Sequence, residues 1–97
     1  MTIDQLSVFV ENKAGKLAEI TAVLADEGID IRAMSIADTK DFGILRLIVN
    51  DADKAVSALK REQYIVSVTK VIAVAISDTP GSLAAVLRVL SDNAISI

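Results

Sequence analysis

Shifted by 66 positions, residues 6–31 of the chain align with residues 72–97 without a gap, and nine of the 26 aligned pairs are identical. The identities are Val8 with Val74, Gly15 with Gly81, Leu17 with Leu83, Ala18 with Ala84, Val23 with Val89, Leu24 with Leu90, Asp26 with Asp92, Ile29 with Ile95 and Ile31 with Ile97. Leu6 with Ile72, Val10 with Ile76 and Ile20 with Val86 exchange one aliphatic residue for another. An ungapped internal repeat means that one supersecondary unit begins twice. Any fold proposed for the 97 residues must accommodate both beginnings.

Each unit reads as strand, helix, strand. Leu6, Val8 and Val10 alternate with Ser7, Phe9 and Glu11, the two-residue period of a strand with one face on a core. Asn12 to Gly15 breaks the run, and Leu17, Ile20, Val23 and Leu24 follow at helical spacing up to a stop at Gly28. Ile29 to about Asp38 returns to the strand period. Thr39-Lys40-Asp41 before Phe42-Gly43 reads as a hairpin connection, and Ile44 to Val49 as the third strand. Asn50-Asp51 supplies an N-cap for a helix from Ala52 to about Glu62, and Tyr64 to Thr69 alternates again.

The predicted order over residues 1–70 is therefore βαββαβ, an α+β ferredoxin-like sandwich with both helices on one face of an antiparallel sheet. Residues 71–97 are expected to begin a second domain as a partial βαβ repeat, with a strand at Val71 to Ile76 and no Gly, Pro or Ser-rich linker before it. Ile97 corresponds to Ile31, so the second unit has no counterpart of the third strand, second helix and fourth strand. A lone strand-helix-strand leaves sheet edges uncovered. The expectation is a piece of a longer natural chain; the alternative is completion against the first domain or another subunit.

Composition removes most chemistry. With neither cysteine nor histidine there are no disulfides, thiolate or imidazole metal sites, or serine-histidine triads. A net charge of -3 gives no electrostatic reason to bind nucleic acid or an anionic membrane, and no run is long and apolar enough to span one. Asp51-Ala52-Asp53 opens like a calcium loop, but Lys54 and Ala55 supply neither the next ligand nor the required glycine, so it reads as a helix cap. A non-catalytic cytoplasmic protein without cofactor or metal is expected.

Two features point to binding. If Leu6, Val8 and Val10 face the helices, the opposite sheet face carries Phe9, some of Met34 and Ile36, Ile44, Ile48 and Ile65, where a two-layer sandwich should be polar. Such a patch marks an interface, and a homo-oligomer, as a dimer through the sheet face or edge, is expected; the plain alternative is that the strand phases are one residue off and these side chains are core. Both units also place a glycine at the strand-to-helix turn, in Asn12-Lys13-Ala14-Gly15-Lys16-Leu17 and Asp78-Thr79-Pro80-Gly81-Ser82-Leu83. Free N–H groups at a helix start welcome a carboxylate, and a glycine lets it approach. On spacing alone the plain alternative stands beside this: the glycines only permit the turn, and Asn12 and Asp78 cap the helices.

The run of strand, Asp/Asn-x-Pro-Gly-x-Leu, helix, a small residue and Ile-x-Ile resembles the start of ACT domains, the amino-acid-sensing regulatory modules of ferredoxin-like fold. The matching stretches are Val8 to Leu17 with Gly28-Ile29-Asp30-Ile31, and Val74 to Leu83 with Ala94-Ile95-Ser96-Ile97. The second turn fits the pattern fully; the first has Asn12 for the usual Asp and Ala14 for the usual Pro. The resemblance implies a small amino acid bound at a seam between modules, near the glycine turn of one and strand two of its neighbour. It implies Asn12, Ala14, Gly15 and Leu17 in the first turn, Asp78, Pro80, Gly81 and Leu83 in the second, and Asp30, Ile31 and Ser96 on the second strands. The rival function on the same fold is a purely structural oligomerisation module without ligand.

Overall fold

The alternating and helical stretches resolve, in a computed structural model describing residues 1–97, into β1 (Thr2–Glu11), α1 (Lys16–Asp26), β2 (Ile31–Asp38), β3 (Phe42–Val49), α2 (Ala52–Arg61), β4 (Val66–Ile72) and α3 (Ser82–Asp92). The four strands form one sheet in the order β2-β3-β1-β4 with every neighbouring pair antiparallel. Helices α1 and α2 pack against each other and on one face of that sheet. This is the ferredoxin-like βαββαβ arrangement, followed by a partial βα unit.

The helix caps follow from local sequence. Asp51 accepts a hydrogen bond from the Lys54 N–H at 3.1 Å and starts α2, while Asn50 Oδ1 accepts from the Asp30 N–H at 2.9 Å and ties the entry of β2 to the end of β3. All three helices stop in a left-handed residue, Gly28, Gln63 and Ala94, and the next N–H reaches back five residues to the carbonyls of Leu24, Leu59 and Leu90. Only the first of the three stops is a glycine, so α2 and α3 end at some backbone cost.

Leu6, Val8, Ile20, Leu24, Ile29, Leu45, Leu47, Ala55 and Leu59 form the core between helices and sheet. Each fully buried aliphatic side chain of this kind contributes about 1.5–3 kcal/mol relative to exposure. No polar or charged residue is buried.

The face opposite the helices carries Phe9, Ile44, Ile48 and Ile65, as the strand alternation predicts: Phe9 pairs with Ile44 and its N–H donates to the Ile65 carbonyl at 3.0 Å. Phe9 stacks at 5.1 Å on Phe42. Met34 and Ile36 lie on the other side. They register with Leu47 and Leu45, whose side chains are core, but sit on the edge strand beyond the reach of the helices and stay about half exposed. The cause is a bulge between Ile31 and Ala33. One extra residue in β2 reverses which side chains face the helices, and alternation alone does not register an insertion.

The second unit departs further from expectation. No strand forms over residues 73–77 or 95–97; β4 continues only to Ile72, and the last ladder bond runs from the Ala73 N–H to the Met1 carbonyl at 2.8 Å. A strand exists only through a neighbour, and residues 74–77 pair with no other strand. Helix α3 forms as predicted but packs against no other element. Val74 is 55% exposed where its counterpart Val8 is 0%, and Ile95 53% where Ile29 is 7%. The radius of gyration of 15.6 Å, against about 12.5 Å for a compact chain of this length, reflects that projecting unit.

Carrying the 66-residue shift back along the chain places β1 residues 2–6 on residues 68–72, which are β4 itself. Thr2 pairs with Ile72, the counterpart of Leu6, and Leu6 pairs with Val68, the counterpart of Thr2. Asp4 pairs with its own counterpart Lys70, and their side chains form an ion pair at 2.6 Å. The two repeat units thus meet about a local pseudo-twofold at Asp4–Lys70, and β4 is at once the closing strand of the first and the opening strand of the second.

Candidate functional site

Both glycine turns have the same backbone. Gly15 stands at φ 85°, ψ -9° and Gly81 at φ 91°, ψ -11°, each as the N-cap of its helix and neither with a side-chain cap. Only glycine takes this left-handed conformation without strain. The expectation that Asn12 and Asp78 cap the helices is therefore not met. Asn12 Nδ2 instead donates to the Lys40 carbonyl at 3.1 Å and its N–H to the Asp41 carbonyl at 2.9 Å, pinning the first turn to the β2–β3 hairpin. Asp78 makes no hydrogen bond, while Ser77, Thr79 and Ser82 join their hydroxyls at 2.7–3.2 Å.

With the cap position empty of side chains, the N–H groups of Ala14, Gly15, Leu17 and Ala18 meet no acceptor within the chain. Those of Gly81, Leu83 and Ala84 are likewise free. Free amides beside a helix start form an electropositive site for an anion. At the first turn Lys13 adds charge, although it is paired with Glu11 at 2.9 Å, and that ammonium holds the Glu11 carboxyl below its usual value. Lys16 lies 3.5 Å from Glu19.

Beneath the first turn a cavity of about 170 Å³ opens between the start of α1 and the sheet. It is lined by the aliphatic Val10, Leu17, Ile36 and Leu45 together with Glu11, Asn12, Lys13, Lys16, Asp38 and Gly43. Of these, Asn12 and Leu17 belong to the sequence expectation. Ile36, Leu45 and Asp38 do not, being distant along the chain. The signal that finds them is topological: β2 and β1 both run antiparallel to β3, hence parallel to each other, so the end of β2 lies beside the end of β1.

The same topology separates the other expected residues. Ile31 pairs with Val49 at the opposite end of the sheet, so Asp30 and Ile31 lie on the order of 20 Å from the Gly15 turn. Because β4 is antiparallel to β1, the turn with Asp78, Pro80, Gly81 and Leu83 leaves the sheet at that far end too, about 30 Å from Gly15. Ser96 sits in the segment after α3, outside the sheet. Within one chain the candidates form two separate turns rather than one pocket.

On the other side of α1, Tyr64 is half-buried near Glu19 and Glu62. Burial, then the nearby Glu19 carboxylate and the charge of Glu62, pushes its phenol from 10.0 up to about 12. Tyr64 is the single tyrosine, so absorbance of the phenolate reads it directly. The titration midpoint is expected near 12 in the folded chain and near 10 in denaturant. A raised value means that the protonated phenol supports the fold: this contribution is complete below pH 10 and lost as pH rises toward 12. A folded midpoint at the denatured value would show that the phenol is open to water.

Comparison with known proteins adds the following. The family model described as an ACT domain pair matches residues 1–97. A solved protein from Bacteroides thetaiotaomicron is similar at 49% identity and a TM-score of 0.92, over 96% of this chain and 65% of its own. The present chain thus spans 65% of the length of that relative. The ACT domain of prephenate dehydrogenase from Bacillus anthracis is 32% identical with a TM-score of 0.58, over 65% of this chain and 99% of that domain. The regulatory subunit of aspartate kinase from Thermus thermophilus, in ligand-free form, has a TM-score of 0.68 over 97% of this chain and 74% of its own; at 16% identity the likeness is one of fold. No curated protein sequence matches.

Proposed function

The chain belongs to the ACT domain family, matching an ACT domain pair over residues 1–97, and from that premise we propose that it is a non-catalytic regulatory module that binds a small amino acid at the Gly15 turn. The observation that carries this reading is the uncapped start of α1, where four amides without acceptors adjoin a cavity that Leu17 and three other aliphatic side chains share with polar ones. A free amino acid offers a carboxylate to those amides and an ammonium to Asn12 or Asp38. The Gly81 turn, with Asp78, offers three of the four corresponding amides in the second unit, Pro80 having none. Residues 1–70 act as the first module and 71–97 as the start of the second, and the module works in the cytoplasm to control amino-acid metabolism. Support for the regulatory part of that reading comes from the likeness to the ACT domain of prephenate dehydrogenase at 32% identity.

A seam between modules supplies strand-two residues such as Asp30, Ile31 and Ser96 from a neighbour, which one chain does not bring to Gly15. Association of copies through the β4 edge or the Phe9–Ile65 face meets that need. Binding then tightens the seam and shifts the population of associated states.

Calorimetric titration of the chain with each of the twenty amino acids tests the reading. Binding with heat is expected, with about 2.7 kcal/mol of added stability at a hundred times Kd. Gly15→Val, which forces a β-branched residue into the left-handed region, is expected to lower the affinity at least about tenfold by distorting the turn. No heat and no stabilisation at millimolar concentrations overturns it in favour of a purely structural oligomerisation module. The observation favouring that second reading is the exposed Phe9, Ile44 and Ile65 patch.

A further inference from the structure

Resting on the amino-acid reading of the Gly15 turn, we propose that the cavity below it selects a branched aliphatic amino acid, valine, leucine or isoleucine, over polar, charged and large aromatic ones. The walls are four aliphatic side chains, Val10, Leu17, Ile36 and Leu45. Glu11, Asn12, Lys13, Lys16 and Asp38 also border it, but Glu11 and Lys13 are paired with each other and Asn12 holds the Lys40 carbonyl, so the aliphatic walls offer a ligand side chain no polar partner of their own. A polar side chain laid against those walls gives up water without gaining a partner.

Size sets the upper limit. The cavity holds about 170 Å³, close to the roughly 150 Å³ of an apolar cavity that admits benzene and stays dry. A four-carbon branched side chain fills it; an indole does not. Leu17 and Ile36 are 36% and 52% exposed, so a ligand side chain covers apolar surface that water now wets. The margin matches the zwitterion. Asp38 has no ion pair or hydrogen bond and is available to an ammonium, and Lys16, only loosely held by Glu19, is available to a carboxylate. Two opposite charges at the mouth of an aliphatic cavity describe a free aliphatic amino acid better than a fatty acid, which lacks the ammonium.

The test is isothermal titration and thermal denaturation of the full chain with valine, leucine, isoleucine, alanine, serine, aspartate, lysine, phenylalanine and tryptophan. The branched aliphatic three are expected to bind at least about tenfold more tightly than alanine or serine. Ile36→Ser is expected to remove most of that preference, and Leu17→Ser, at a second exposed wall position, repeats the experiment should the edge strand not tolerate the first. Asp38→Asn is expected to weaken leucine about tenfold and to leave 4-methylpentanoate, which has no ammonium, unchanged. Tighter binding of serine, aspartate or lysine than leucine overturns the selectivity while amino-acid binding itself stands. Leucine affinity unmoved in both wall variants overturns the placement. Failure of every amino acid to bind removes the reading of the turn, and the inference with it.

Discussion

Leu24→Ala is expected to lower the unfolding free energy by about 2–5 kcal/mol, and Leu90→Ala, the same substitution at the matching place of the repeat, by less than about 1 kcal/mol. Leu24 is fully buried among Ile20, Leu47 and Leu59 in the core between helices and sheet. Removing three carbons there loses their transfer energy and leaves a cavity that the close-packed neighbours fill only in part. Leu90 closes the same turn of α3, and its carbonyl receives the same back-bond, from the Ile95 N–H. Yet α3 packs against no other element, so the side chain loses little when truncated. Urea denaturation at constant protein concentration measures both. Equal losses at the two positions would mean that α3 is packed in solution, for instance in an associated form.

A second pair of substitutions tests the ladder on which the shared strand depends. In β4 the N–H groups of Ser67, Thr69, Val71 and Ala73 point toward β1, as the alternation of an antiparallel pair requires between the bonds at Phe9–Ile65 and Met1–Ala73. Those of Val68, Lys70 and Ile72 point to the free edge. Thr69→Pro removes a ladder bond and drives the ring into the partner strand, and is expected to cost about 3 kcal/mol or more. Lys70→Pro removes only an outward N–H and a surface ion pair worth about 0–1 kcal/mol. The neighbouring residues should therefore differ by several-fold in their effect on the denaturation midpoint. Sedimentation velocity adds a second reading: if copies associate by pairing β4 edges, Lys70→Pro leaves the fold intact and abolishes the larger species. Equal damage from both prolines would contradict the register.

Much of this architecture is legible in the residues before any coordinates. The βαββαβ order, the caps at Gly28 and Asp51 and the outward Phe9, Ile44, Ile48 and Ile65 follow from local periodicity and turn chemistry, which act over a few residues. What fails does so for identifiable reasons. The bulge after Ile31 is one inserted residue, invisible to a pattern that simply resumes, and it moved Met34 and Ile36 to the helix side. Residues 71–76 and 95–97 have strand periodicity, but a strand is a property of two chains of residues, and only Val71 and Ile72 have a partner. At the candidate site, the turn residues announce themselves through Gly15, whereas Ile36, Asp38 and Leu45 come together only by sheet order. The duplicated turn is fully legible; the separation of its two versions to opposite ends of the sheet is a consequence of antiparallel pairing.

Residues 68–72 also constrain how such a protein can be rearranged. Repeated proteins commonly gain or lose whole units by recombination, cutting in a linker that belongs to neither side. Here a break near Lys70 takes the last strand from one unit to make the other, so transplanting either by itself requires a donated strand with the same in-and-out alternation. Heredity must then handle the two as a single cassette, even though only one of them has a filled interior.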